Sequence, residues 1–218
     1  SLGFDENNIQ SISYRPFDDR FIYYTDYYIE RSRKEVMQHF LNNENLGLMV
    51  CRQQKTEGFY HVLAHKYIVE SSYVSNKTSE IGSTFPLYIF SDSQQSSLSG
   101  NKLPNLNDNL VKLLLAKVVD KDKIIPENIF DYVYATLHSP KYRETYKDFL
   151  KSDFPRIPLA QDTKSFWELV KFGGQLRHLH LQDEKELGKP PITFPVAGTN
   201  EIEKIEYKDK RVYINSTQ

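Results

Sequence analysis

The apolar pattern changes period part-way along the chain, and this most narrows what it can fold into. Up to about residue 90, apolar residues come in short runs rich in aromatic and β-branched side chains, bounded by Asn, Gly, Ser and Thr. Examples are Arg20-Phe21-Ile22-Tyr23-Tyr24, Leu46 to Arg52, Gly58 to Ala64 and Phe85 to Phe90, each of which predicts a strand. Beyond residue 105 they recur every three to four positions, which predicts helices. Strands followed by helices within one chain indicate an α+β fold.

The spacing gives provisional boundaries. Residues 1–100 read as a β-rich part with one helix, Arg31 to Leu41, whose stripe is Val36, Met37, Phe40 and Leu41. Residues 101–182 read as a helical block. There Leu106 to Val118 is amphipathic, and Pro126 suits a first helical position ahead of Ile129, Phe130, Val133, Tyr134 and Leu137. Pro140 opens a further helix, Tyr142 to Leu150, and Asp153 to Pro158 is an extended exit. Thr163 is placed to cap a last helix from Lys164 to about Gln182, with Gly173-Gly174 as a possible kink site. Residues 183–218 read as a short β tail with a hairpin turn at Lys208-Asp209-Lys210. The polar stretch Ser91 to Asn105 predicts a loop and a subdomain boundary. The chain lacks an initiator Met and breaks off just after Arg211-Val212-Tyr213-Ile214, so it reads as a piece of a longer protein.

Charge and cysteine content remove several function classes. With 28 Lys+Arg against 29 Asp+Glu in 218 residues, the chain is not a wholly basic protein that coats phosphate. A single cysteine excludes a disulfide framework and a four-cysteine zinc site. Cys51 sits in the apolar run Leu48-Met49-Val50-Cys51, where a buried inert thiol is expected. No apolar run approaches the roughly 20 residues of a membrane helix, and the N-terminus has no signal-peptide pattern. No P-loop, dinucleotide fingerprint, nucleophile elbow or zincin motif is present. His61 and His65 lack a third ligand and are expected to be partly exposed strand histidines; His178 and His180 point to different helix faces. Asp183 with Glu206 and Lys208 has the residue types of a Mg²⁺ nuclease. An exposed hairpin explains that short match better.

Two segments carry groups suited to reading base edges. Lys66 to Glu80 is rich in Ser, Asn, Lys and Thr, and Arg52-Gln53-Gln54-Lys55 falls at a turn. Arg52, Gln53, Lys66, Ser75, Asn76, Lys77 and Thr78 are the candidate base contacts. Arg31, Arg33 and Lys55 are candidate phosphate contacts; the two arginines at a helix start would oppose its macrodipole unless an anion joins them.

Several phrases together resemble one family. They are Tyr14-Arg15-Pro16-Phe17-Asp18-Asp19-Arg20, Arg31-Ser32-Arg33-Lys34-Glu35-Val36-Met37 and Phe85-Pro86-Leu87-Tyr88. Most specific is the block from Leu137-His138-Ser139-Pro140-Lys141-Tyr142-Arg143 to Phe154-Pro155-Arg156-Ile157-Pro158. Over roughly residues 9 to 182 the chain is similar to the C-terminal specificity region of single-polypeptide, type I-like (type ISP) restriction–modification enzymes. The resemblance implies a DNA target-recognition part joined to a nuclease, an ATP-driven translocase and an adenine methyltransferase in one bacterial, cytoplasmic chain. It implies S-adenosylmethionine, ATP and Mg²⁺ for that parent chain, and no catalytic residue, metal or cofactor here. Double-stranded DNA and the methyltransferase domain are then the expected partners. The alternative is an interaction module that packs on the methyltransferase without reading DNA. Arg15 with Asp18, and Arg143 with Asp153, are expected ion pairs that fix chain crossings.

Overall fold

The computed structural model describes residues 3–41, 44–54, 58–75, 77–78, 80–90, 102–188 and 193–218. They divide into a larger unit up to Glu186 and a smaller one, Leu187–Gln218. Among the described residues no helix is long and apolar enough to cross a membrane.

Among the described residues the larger unit contains two three-stranded sheets and one two-stranded sheet. In the first, β1 (Ile9–Arg15) pairs antiparallel with β2 (Asp18–Tyr23), with a register shift between Ser13 and Arg15. The helical stripe after it forms one α turn, α1 (Lys34–Met37), and a 3₁₀ turn, Gln38–Phe40, rather than a helix from Arg31. Arg31 and Arg33 take left-handed backbone angles, φ 58° and 49°, which no continuous right-handed helix tolerates. Val36, Met37 and Leu41 nevertheless pack as the stripe implies, against Ile12, Phe40 and Ile68.

β3 (Gly47–Cys51) is the centre of the second sheet, antiparallel to β4 (Val62–His65) and to β6 (Gly82–Pro86). Between them β5 (Ile68–Val69) joins β1 in parallel, and after them β7 (Tyr88–Phe90) pairs with β8 (Lys102–Pro104). His65 is buried, not partly exposed: its Nδ1–H donates to the Tyr67 carbonyl at 2.8 Å, and Thr84 Oγ1 lies 3.3 Å from Nε2. Gly47 makes room for that ring. A Cβ there would lie 2.3 Å from His65 Nε2 and 2.8 Å from Phe40 Cζ. Gly47→Ala is therefore expected to destabilise by about 1–3 kcal/mol through overpacking. A urea midpoint that does not fall in this variant contradicts the contact.

Six α-helices follow among the described residues. After α2 (Asp108–Leu114), capped by Asn107, comes α3 (Pro126–His138), with Pro126 in its first turn and Asn128 Oδ1 accepting from the Ile125 N–H at 3.0 Å. α3 is apolar on two faces. Phe130, Tyr134 and Leu137 pack on Val50, Val62, Ala64 and Leu87 of the β-rich part. Ile129 and Tyr132 pack on Leu115, Val118, Phe166 and Val170. The first of these clusters thus draws on strands and helices together, and α3 contributes to both. Ser139 then caps α4 (Pro140–Thr145), and Tyr146 separates it from α5 (Lys147–Leu150), where the spacing predicted one helix.

α6 (Thr163–His180) runs unbroken through Gly173-Gly174, with no interruption at the pair. Its cap is Asp162, whose Oδ1 accepts from the Ser165 N–H at 2.8 Å. Thr163 Oγ1 instead accepts from the Val119 N–H. The one-turn α7 (Glu184–Leu187) ends this stretch.

In the smaller unit β9 (Glu206–Lys208) and β10 (Arg211–Tyr213) form the expected hairpin. Asp209 and Lys210 both have positive φ, 53° and 61°, the conformation tight hairpin turns require. The buried Gln218 side chain ties the unit together, donating to the Val196 carbonyl and accepting from the Asn200 N–H.

Candidate nucleic-acid interface

The antiparallel register places the predicted base contacts at different ends of the second sheet. Cys51 pairs with Gly82 and Val50 with Val62, so the chain leaving β3, entering β4 and entering β6 shares one end. Arg52 and Gln53 emerge there, both exposed. Gln54, next along, is buried and its Oε1 accepts from the Tyr60 N–H at 3.1 Å, which shapes the β3–β4 connection. Thr78 belongs to the same end. Its hydroxyl donates to Glu80 Oε2 at 3.1 Å, and that buried carboxylate lies 2.8 Å from His61 Nδ1. Ser75 Oγ accepts from the Lys77 N–H at 3.2 Å, and the Lys77 side chain is exposed on this β5–β6 connection.

Lys66 stands at the opposite end, just past the Gly47–His65 pair, beside a small polar pocket of about 60 Å³ shared with Asp19 and Gln182. Arg31 and Arg33 are exposed on the segment before α1, with Arg31 Nε 3.5 Å from Glu30. The structure therefore groups Arg52, Gln53 and Thr78 and leaves Lys66 apart. Lys55 and Asn76 lie outside the described residues.

Neither expected ion pair forms. Arg15 pairs with Glu70 at 2.5 Å, while Asp18 pairs with Arg20. Asp153 pairs with Arg52 at 3.1 Å rather than with Arg143, which ties the β3–β4 connection to the segment after α5. The Phe154 backbone N–H and the Arg52 guanidinium hold the Asp153 carboxyl below its usual range. Phe154 packs edge-on to Phe85, with ring centroids 5.5 Å apart, and the Arg52 guanidinium lies 6.0 Å from the Phe154 ring.

Next to this edge a cleft of about 610 Å³ opens between the β3–β4 connection and α4–α5. Tyr60 forms one wall; Arg143, Lys147 and Lys151 form the other, with His138 and Leu150 also lining it. Tyr60 is 65% exposed. The sequence reading named Arg143 and His138 within one phrase, and Arg143 as a partner for Asp153, but placed none of these six residues in a site. A signal for the basic wall was available, since Arg143, Lys147 and Lys151 recur every four residues.

Other titratable groups have structural partners. Burial pushes the Cys51 thiol up to about 11, so it is protonated and inert at neutral pH. Asp183 accepts from the Lys185 N–H and faces His178; Glu206 pairs with Lys204. Among the described residues no group of three or more His, Cys, Asp or Glu side chains is placed to hold a metal ion.

No curated protein matches this sequence. Solved structures do. The fold resembles the ATP-dependent Type ISP restriction-modification enzyme LlaBIII bound to DNA, with a TM-score of 0.73 and 19% identity over 100% of this chain. It also resembles a nuclease-deletion mutant of the Type ISP enzyme LlaGI in complex with a DNA substrate mimic (0.67, 21%, 100%) and the DrdV–DNA complex (0.63, 27%, 84%). The chain spans 14%, 18% and 17% of those three chains respectively. The family model for the Type ISP C-terminal specificity domain matches residues 1–218, from end to end. The chain thus belongs to the Type ISP C-terminal specificity domain family.

Proposed function

We propose that this chain reads a short sequence in double-stranded DNA and directs chemistry carried elsewhere in its parent chain. The observation that carries this reading is the end of the second sheet, where Arg52, Gln53 and Thr78 present forked or short polar groups beside a basic cleft. Such groups discriminate base edges in the major groove, at about 1–3 kcal/mol per good bidentate pair. Three DNA-bound structures that share its fold support the same reading.

In this reading the parent chain supplies adenine methylation and ATP-dependent cleavage, with S-adenosylmethionine, ATP and Mg²⁺ bound in those other parts. The methyltransferase domain is the neighbour within the chain. The compartment is the cytoplasm, where DNA is met. Near-neutrality fits a reader, because phosphate contacts supply most affinity and base contacts supply specificity. Alone, the chain should bind weakly and in a salt-sensitive way.

Selection from a randomised duplex pool tests this. The wild-type chain should enrich one short asymmetric sequence. Arg52→Ala with Gln53→Ala should relax the preference at one or two positions by roughly 5- to 150-fold, the equivalent of one bidentate contact. An enriched sequence that survives replacement of Arg52, Gln53 and Ser75 to Thr78 together would move the reading to other residues of this chain, whereas a wild-type chain that enriches none would favour the interaction-module alternative.

A further inference from the structure

Arg143 is the most conspicuous unbalanced charge near the proposed reading edge. Its Nε–H donates to the Leu137 carbonyl at 2.6 Å and an Nη2–H to His138 Nδ1 at 3.0 Å. Phe59 and Tyr60 lie 5.8 and 5.9 Å from the guanidinium carbon. All these neighbours are neutral, and no described carboxylate lies within ion-pair distance of Arg143. Burial accordingly pulls its pKa below the ordinary arginine value. A half-buried cation without an anion is costly, and functional sites are where such costs are retained.

The rest of the cleft supplies matching features. Lys147 and Lys151 follow Arg143 at four-residue intervals. Their counter-ions, Glu144 at 3.3 Å and Asp148 at 3.7 Å, are i,i+3 pairs with all four side chains more than half exposed. Pairs of that kind are weak and exchange readily for a stronger anion. Glu144 itself lines the cleft, so an incoming anion has to displace its contact with Lys147.

We propose that this cleft holds the sugar–phosphate backbone of one DNA strand, with Arg143 as the inner anchor and Lys147 and Lys151 along its length. The inference rests on the DNA-reading function above and adds where the strand is gripped. Length favours a backbone over a lone phosphate. Arg143 on α4, Lys147 opening α5 and Lys151 just past it spread three cations along one wall, more than a single phosphate engages. Continuity favours it as well: Lys151 leads directly to Asp153 and its partner Arg52, a candidate base reader.

The test uses the 218-residue chain and a labelled random-sequence duplex, titrated between about 50 and 200 mM salt. Lys147→Gln with Lys151→Gln should lower affinity on the order of tenfold and reduce the log–log salt slope by about two. The sequence enriched from a random pool should stay the same. These lysines are exposed, so folding should survive. Arg143→Lys, which keeps the charge and loses the fork, should weaken binding further in the same pattern. If wild type binds and the double variant keeps its slope, the cleft assignment fails and the reading function stands. A wild-type chain that binds no duplex at low salt overturns both.

Discussion

Replacing Arg177 with methionine is expected to cost roughly 3–5 kcal/mol of folding stability, the usual result of removing one member of a buried ion pair. Arg177 on α6 holds Asp131 on α3 with two parallel contacts, Nε to Oδ1 at 2.6 Å and Nη2 to Oδ2 at 3.0 Å. The side chains are 13% and 6% exposed. Without the guanidinium the Asp131 carboxylate stays inside with its charge uncompensated, which is where the cost arises. Asp131→Leu with Arg177→Met should recover much of the loss, since an apolar pair leaves nothing to desolvate. The same crossing explains Gly173, where a Cβ would sit 1.9 Å from the Asp131 carbonyl oxygen. That neighbour is backbone, so Gly173→Ala has to push α3 and α6 apart. For a chain of this size 3–5 kcal/mol corresponds to a fall in Tm on the order of 10 °C. Urea unfolding with an unchanged m-value would assign the loss to the folded state. A single variant as stable as wild type would mean the pair is not buried as described.

The contrast between α3 and the stripe at Val36 to Leu41 shows what the sequence carried. Pro126 and Pro140 bracket α3, because proline pre-sets the first turn and restricts the residue before it, so its boundaries were legible within the chain. The stripe correctly identified the buried side around α1 but not the number of turns. Periodicity reports which face is covered; two left-handed arginines decided where the helix could begin. Strand β1 was not singled out, and part of its support is a parallel pairing with β5, more than fifty residues away. Ion pairs were misassigned for a similar reason. Arg15 and Asp18 are near in sequence, yet Arg15 meets Glu70 because β1 pairs with β5, and Arg52 meets Asp153 because the chain after α5 returns to the end of β3. The candidate site was legible at Arg52 and Gln53, where polar groups interrupt a strand. Its cleft was not, since one wall comes from the β3–β4 connection and the other from α4–α5.

Acid should weaken this fold well before its carboxylates titrate. Burial pushes His65 down to about 4; His138 is also pushed down to about 4, first by burial and then by the facing Arg143 and His180. His180, which accepts a hydrogen bond from the Tyr134 hydroxyl at 2.6 Å, is shifted the same way by burial. Between about pH 6.5 and 4 the unfolded chain binds protons at these positions and the folded chain does not. Stability therefore falls as pH drops through that window and is insensitive to these groups above it. For His65 the fall amounts to about 1.4 kcal/mol per pH unit, or about 3 kcal/mol across the window. His138, partly open at the cleft, should contribute less. The lowered carboxylates, Asp18, Asp153, Asp162 and Asp183, are held below their ordinary values and act only at lower pH, so the two regimes separate. Urea unfolding at pH 7.5, 6, 5 and 4.5 should show the decline. His65→Asn keeps a donor for the Tyr67 carbonyl and removes the ring that resists protonation. It should be less stable at pH 7.5, and its pH dependence below 6 should be shallower by about 1.4 kcal/mol per unit. An undiminished slope in that variant would show that His65 does not carry the acid sensitivity.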